Sequence, residues 1–117
     1  RVKKQLPIHF PKIDAKISFV DAEDAAKNIL KIGMSKHQGP INICSKDPIK
    51  LSALIDLIQT QLKLTAKISM EDSKENRSPF GIPDDWYMST QLAQRLDFHC
   101  KPLGEWLPKL VASLSEP

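Results

Sequence analysis

The acidic residues Asp21, Glu23 and Asp24 are the densest group of side chains that could do chemistry in this 117-residue sequence. Closely spaced carboxylates can act as a general acid and base. The same three residues also suit the start of a helix, because Asp21 can cap free backbone N–H groups and the later carboxylates complement the helix dipole. We favour the helix start, and a catalytic cluster is the alternative.

A second charged cluster, residues 70–77, contains the cations Lys74 and Arg77. Together they could bind an anion, and a solvated loop is the alternative interpretation. Residues 71–85, which are polar and include three prolines or glycines, are predicted to form one long loop. Loops of this length inside a compact domain are usually functional or disordered.

The histidines and cysteines do not show the spacing of a metal site. The three histidines, His9, His37 and His99, are scattered, so the sequence predicts no metal site. A core of this size needs no disulfide, so Cys44 and Cys100 are expected to be reduced, partly buried thiols of a cytoplasmic protein.

The four glycines are dispersed along the chain, so no phosphate-binding loop or dinucleotide fingerprint is present. The net charge of +3 is too small to indicate nucleic acid or an acidic membrane as a partner. No run of about 18 apolar residues is present, so we expect no membrane span. Trp86 and Trp106 are expected to anchor the core.

The hydrophobic pattern predicts a small α/β domain after an extended lead-in over residues 1–16. Two strand–helix units in succession favour parallel strand pairing through a right-handed crossover. Gly33 is expected to end the first helix in a left-handed conformation, and Pro108 to delay or kink the last helix. The predicted strands are 17–20, 41–44 and 66–70, and the predicted helices are 22–32, 51–63, 89–96 and 103–115.

Three phrases of the sequence resemble, in order and spacing, the extended short-chain dehydrogenases of the NAD-dependent epimerase/dehydratase family. The first, residues 17–26, is similar to the family's strand, acidic turn and Asp-x-Ala helix. The second, residues 39–51, resembles its Asn-containing strand followed by a helix start. The third, residues 85–107, resembles its closing phrase, with Asp97 at the glycine of Leu-Gly-Phe. The resemblance covers about residues 15–115.

This resemblance implies that residues 1–117 are a single partial domain, the C-terminal, substrate-binding part of such an enzyme, without the Rossmann half. The family's catalytic Tyr-x-x-x-Lys is absent, because Gln91 stands four residues after Tyr87. The chain alone is therefore expected to be inactive and to hold no cofactor, with NAD or NADP bound by the parent enzyme.

The implied partners are a nucleotide-sugar substrate, the missing Rossmann half and a second copy in a homodimer. Arg77 lies where the family has an arginine that binds the nucleotide diphosphate, and a guanidinium suits two phosphate oxygens. The alternatives are a fragment of an NmrA-like regulator or of a thioester reductase, and a stand-alone protein-interaction module.

Overall fold

The computed structural model describes residues 1–10, 12–70 and 84–114. Over these ranges the chain forms a small mixed α/β structure, which confirms the predicted class. The strands are short: β1 (Ile8–His9), β2 (Lys16–Ile17), β3 (Ile49–Lys50) and β4 (Ile68–Ser69). The helices are α1 (Ala22–Gly33), α2 (Leu51–Leu62), α3 (Gln91–Arg95) and α4 (Leu103–Ser113). No described helix is long and apolar enough to cross a membrane.

The chain divides into two compact units. Unit 1 comprises Arg1–Ile17, Ile49–Trp86 and Pro108–Pro117, and unit 2 comprises Ser18–Pro48 and Tyr87–Leu107. Helix α4 contributes residues to both units, and the boundary falls immediately before Pro108. Pro108 lies inside this helix, which begins at Leu103, so the proline neither delays the helix start nor ends the helix.

Unit 1 contains all four strands, in two separate pairs. Strand β1 pairs in parallel with β4, and β2 pairs antiparallel with β3. The lead-in therefore contains strands, and the only parallel strand pair among the described residues joins the lead-in to residues 68–69. The predicted crossover between successive strand–helix units is wrong, because β3 follows an irregular segment and returns against β2.

The core of unit 1 forms around helix α2, whose apolar period the sequence shows clearly. Ile55 is buried together with Val2 and Ala66, and partly buried apolar residues pack against them. Helix α2 ends at Leu62, and the next residue, Lys63, has a left-handed backbone with φ of 52°. Gln59 then accepts a hydrogen bond from the Ala66 backbone N–H at 2.7 Å, which fixes the chain leaving the helix.

Unit 2 contains helices α1 and α3 and the first half of α4, with no strand. The predicted strand at 41–44 is wrong, and residues 18–20 do not extend β2. The two segments share one backbone hydrogen bond, from Ser45 N–H to the Phe19 carbonyl. Side chains of these segments make hydrogen bonds in place of further backbone pairing. The Asn42 amide donates to the Ser89 carbonyl, and the Ser18 hydroxyl accepts from the Met88 N–H.

Helix α1 begins at Ala22, as predicted, but its N-terminal cap contact and its C-terminal stop differ from the prediction. Asp21 occupies the N-cap position, but its carboxylate makes no capping hydrogen bond. Gly33 is the last helical residue, and Met34 follows it in a right-handed conformation. Gly33 is therefore not a left-handed stop.

Helix α3 ends in a Schellman motif. The Phe98 N–H donates to the Ala93 carbonyl at 2.8 Å and the Asp97 N–H to the Gln94 carbonyl at 3.2 Å. The side chains of Ala93 and Phe98 are both buried, as the motif's apolar contact requires. Asp97 has φ of 61°, the left-handed conformation that favours glycine.

We predict that Asp97→Gly is more stable than Asp97→Ala. Both variants lose the carboxylate, but only glycine adopts the left-handed backbone without steric cost. That cost is roughly 1–2 kcal/mol for other residues, and the flexibility of unfolded glycine offsets part of it. Urea unfolding of both variants measures the difference. Equal stability would show that this backbone conformation is not under steric constraint.

Candidate functional site

The acidic cluster at the start of α1 surrounds one lysine, Lys101. The Lys101 ammonium pairs with Asp21 and lies 3.4 Å from Glu23 Oε2 and 3.9 Å from Asp24 Oδ1. The backbone N–H of Lys101 donates to Asp24 Oδ2 at 2.6 Å. The Asp24 side chain is buried, so this contact fixes residue 101 against α1. The carboxylates are thus engaged in structure, as the helix-start interpretation implies, although through Lys101 rather than through capping.

These ion pairs shift the pKa values of their members in opposite directions. Lys101 lowers the pKa of Asp21, and Asp21 raises the pKa of Lys101. Lys27 and then Lys101 lower the pKa of Glu23. A carboxyl group whose pKa is lowered in the folded state stabilises the fold at pH values above its ordinary pKa. This stabilisation is lost as the pH falls through the lowered pKa. A lysine whose pKa is raised in the folded state stabilises the fold at pH values below its ordinary pKa. Both ranges include neutral pH, so the ion pairs of the cluster are intact there.

Two buried polar residues extend this cluster within unit 2. The Asn28 amide donates to the Asp24 and His99 carbonyls, both at 2.9 Å. Ser45 is almost fully buried, and its hydroxyl donates to the Lys101 carbonyl at 2.8 Å. The same hydroxyl accepts from the Trp106 indole N–H at 3.1 Å. Residues 99–101 are therefore hydrogen-bonded from both sides.

Beside this network lies a cavity of about 260 Å³, formed entirely by residues of unit 2. Its wall combines apolar side chains with two thiols, an imidazole, two polar side chains and one charge of each sign. The lining residues are Ile43, Cys44, Lys46, Asp47, Thr90, Ala93, Gln94, Phe98, His99, Cys100 and Pro102. Such a wall is suited to binding a small polar ligand by hydrogen bonds and apolar contact.

The two thiols of the cavity are free, in agreement with the sequence expectation. Burial raises the pKa of Cys44. Burial, with the nearby Asp24 charge, raises the pKa of Cys100 to about 11. The Asn28 amide also lies 3.6 Å from Cys100 Sγ. Since the thiolate is the reactive form, both groups are poor nucleophiles at neutral pH.

The imidazole of the cavity is engaged by a carboxylate. His99 Nε2 lies 2.8 Å from Asp97 Oδ1, and the Lys31 ammonium lies 3.2 Å from Asp97 Oδ2. Lys31 and then His99 lower the pKa of Asp97. The Lys31 ammonium also lies 5.5 Å from the centre of the Phe98 ring. These contacts orient His99 at the cavity wall.

The structure separates the other residues singled out in the sequence. Trp106 is a core anchor, as predicted. Trp86 is not, because its side chain is 60% exposed. Its backbone N–H donates to the Lys16 carbonyl at 2.8 Å, which fixes its backbone at the edge of β2. Arg77 and Lys74 lie outside the described residues. Among the residues that the structure does describe, no three His, Cys, Asp or Glu side chains could hold a metal ion.

Sequence reasoning missed Asn28 and Ser45, the two polar residues that organise the site. The available signal was weak: Asn28 lies one turn after Asp24 on the same helix face, and Ser45 directly follows an apolar segment. Comparison with protein-family models, with curated proteins and with solved structures finds no match to this chain.

We predict that Asp24→Ala destabilises unit 2 by about 1–3 kcal/mol, because it leaves the partly buried Lys101 N–H without its acceptor. Glu23→Ala is the matched control, since Glu23 is an exposed carboxylate on the same helix turn. It should cost much less. Urea unfolding followed by tryptophan fluorescence in a Trp86→Phe background, which leaves Trp106 as the reporter, measures both losses. Equal losses would contradict the role given to Asp24.

We predict that Cys100 reacts slowly with thiol reagents at neutral pH. A pKa of about 11 leaves about 300-fold less thiolate than in an ordinary cysteine. In the Cys44→Ser variant, the iodoacetamide rate should rise about tenfold per pH unit from pH 7 to 10. The control is free glutathione, whose rate should level off earlier. A plateau of the Cys100 rate near pH 8.5 would contradict the prediction.

Proposed function

We propose that this chain is the substrate-binding part of an NAD(P)-dependent enzyme of the epimerase/dehydratase family that acts on a nucleotide sugar. The missing Rossmann half would supply the cofactor and the catalytic Tyr/Lys pair. One observation is the main support. The three family-like phrases are separated in the sequence, but most residues of each phrase belong to one compact unit, Ser18–Pro48 with Tyr87–Leu107.

Specific contacts join these phrases. The first and third are joined where Asp24 accepts from the Lys101 N–H. The second and third are joined where the Ser45 hydroxyl bonds both the Lys101 carbonyl and the Trp106 indole. The first and second are joined by the Ser45 N–H and the Phe19 carbonyl, 2.9 Å apart. The three phrases are therefore in contact with one another in the structure. Three segments that resembled the family only by chance would not need to be in contact, so the contacts support the proposal.

The backbone of Asp97 provides a second line of support. The family pattern has glycine at this position, and here the residue has φ of 61°. An aspartate that retains a glycine-like conformation suggests that the local fold of the pattern persists although its residue has changed.

We assign binding of the sugar or base to the cavity of unit 2. Arg77, which lies outside the described residues, remains a separate prediction from the family resemblance. About 260 Å³ is slightly below the roughly 300–1,000 Å³ of sites that enclose drug-sized ligands. The cavity therefore has room for one sugar ring or base. The diphosphate would bind to Arg77, whose planar fork donates to two oxygens at once. The neutral thiols beside the ligand would favour binding over covalent chemistry.

The cofactor, NAD or NADP, would bind to the other half of the enzyme. That half is also the proposed source of hydride transfer, with this part selecting the sugar. The reduced state of both cysteines is the reason to propose the cytoplasm as the compartment.

We predict that nucleotide sugars bind this chain and NAD(P) does not. In NMR titrations, a uridine- or guanosine-diphosphate sugar should shift amide signals of Thr90, Phe98 and His99. Arg77→Ala should weaken this binding about ten- to a hundredfold, the loss of a charge-assisted contact worth roughly 1.5–3 kcal/mol. Arg77→Lys should restore only part, since a point charge lacks the fork.

The matched control is Arg95→Ala, which removes an exposed arginine of α3 that does not line this cavity. It should leave the affinity unchanged. Equal losses of affinity in the two alanine variants would show that Arg77 contributes only positive charge and does not contact the diphosphate. Specific micromolar binding of NAD(P) to this chain would contradict the proposed division of labour.

A further inference from the structure

Unit 1 contains an apolar groove that shares no lining residue with the cavity of unit 2. Its volume is about 380 Å³. Val2 and Val111 form the buried part of its wall, and Leu114 is 60% exposed at its edge. The described lining residues are Arg1, Val2, Lys3, Ile8, Ile58, Leu62, Val111 and Leu114.

The groove is built by three segments that the fold of unit 1 brings together: the lead-in, helix α2 and the end of α4. Ile58 and Leu62 lie one turn apart on α2, so their side chains are neighbours on one face. The Gln5 amide donates to the Val2 carbonyl at 3.0 Å and to the Thr65 carbonyl at 3.3 Å. These bonds hold the lead-in against the chain that follows α2, so the groove is formed without a ligand.

Two cations line the same groove, and none of its described lining residues is acidic. The Arg1 guanidinium donates through Nη1 to the Pro7 carbonyl at 3.1 Å, and the Lys3 ammonium donates to the Leu114 carbonyl at 3.2 Å. The Pro7 carbonyl is uncharged and uses one of several guanidinium donors. Arg1 therefore keeps its positive charge and has further N–H groups for an anion.

We propose that this groove binds a single-chain alkyl carboxylate of medium length, with the chain along the apolar wall and the carboxylate at Arg1. The apolar wall suits a hydrocarbon chain, and the cations complement a negative head group. A methylene group is about the size of a water molecule, which occupies about 30 Å³ in the liquid. The groove of about 380 Å³ therefore has room for roughly ten carbon atoms.

The size of the groove favours a small molecule over a partner protein. Its volume of about 380 Å³ falls within the roughly 300–1,000 Å³ of small-molecule sites. A docked amphipathic helix would instead need an apolar surface that extends over several turns. The groove lies in unit 1, so this inference does not depend on the function proposed for the cavity of unit 2.

The test is an NMR titration of the chain with hexanoate, octanoate, decanoate and dodecanoate, each below its micelle concentration. Affinity should rise about fourfold for each added methylene, which corresponds to about 0.8 kcal/mol, and level off near decanoate as the groove fills. Amide signals of Val2, Ile8 and Leu62 should shift. Those of Thr90 and Phe98, at the cavity of unit 2, should not.

The charge is tested separately from the chain. Decanoate should bind about threefold to tenfold more tightly than decanol, which has the same chain without the carboxylate. Arg1→Gln should remove most of this difference by weakening decanoate and not decanol. Lys4→Gln is the matched control, because Lys4 is an exposed cation that does not line the groove. Equal losses in the two variants would overturn Arg1 as the partner of the carboxylate.

The location is tested at the exposed edge of the groove, where a substitution should not unfold the chain. Leu114→Glu should weaken decanoate at least about tenfold, because it places a like charge in the groove. Leu110→Glu, at an exposed leucine one turn earlier that does not line the groove, is the matched control and should have little effect. Circular dichroism checks that both variants are folded.

Three results would overturn the proposal. The first is an absence of decanoate binding up to about 5 mM, or an affinity that does not depend on chain length. The second is a set of shifts confined to unit 2, which would place the ligand elsewhere. The third is binding to anionic phospholipid vesicles that Leu114→Glu abolishes, without binding of decanoate, which would assign the groove to a membrane surface.

Discussion

The buried Asp24 carboxylate is the constraint on which unit 2 depends. It accepts the Lys101 backbone N–H at 2.6 Å, while the Lys101 ammonium reaches Asp21 and Glu23. A buried carboxylate is costly to remove from water unless charge and hydrogen bonds compensate, and here both do. The contact joins residues 77 positions apart in the chain. It therefore determines the path of residues 99–101 and, with it, one wall of the cavity.

The same constraint determines the orientation of helix α1. Because Asp24 and Asn28 must face their partners in residues 99–101, the opposite side of the helix turns outward. That side contains Ile29 and Leu30. The exposed apolar face is thus a consequence of satisfying the buried Asp24 carboxylate and Asn28 amide, since buried polar groups are costly when they are left unpaired. A partner that covered this face would bury Ile29 and Leu30 without disturbing the hydrogen bonds of Asp24 and Asn28.

The cavity and the neighbouring Schellman motif show how one segment serves both structure and chemistry. Phe98 closes the motif and forms part of the cavity wall, while Asp97 orients His99 from a left-handed backbone. Cys100, the next residue, is kept protonated by burial and by Asp24. Groups that could be reactive elsewhere are therefore held as neutral or paired members of the wall, which fits binding better than catalysis.

The sequence by itself determined the α/β class, the positions of the four helices and the burial of Trp106, because these follow from local apolar periodicity and propensity. It also places Ala22, Ala26, Ile29 and Leu30 on one face of α1 but does not give the direction of that face. Helical periodicity determines which residues share a face and not what that face contacts. The prediction of a strand at 41–44 was wrong for a similar reason. An extended segment becomes a strand only when a partner backbone is available, and here the side chains of Ser18 and Asn42 make the hydrogen bonds. The roles of Asn28, Ser45 and Lys101 were decided only by tertiary structure, because each depends on contacts between residues more than 50 positions apart.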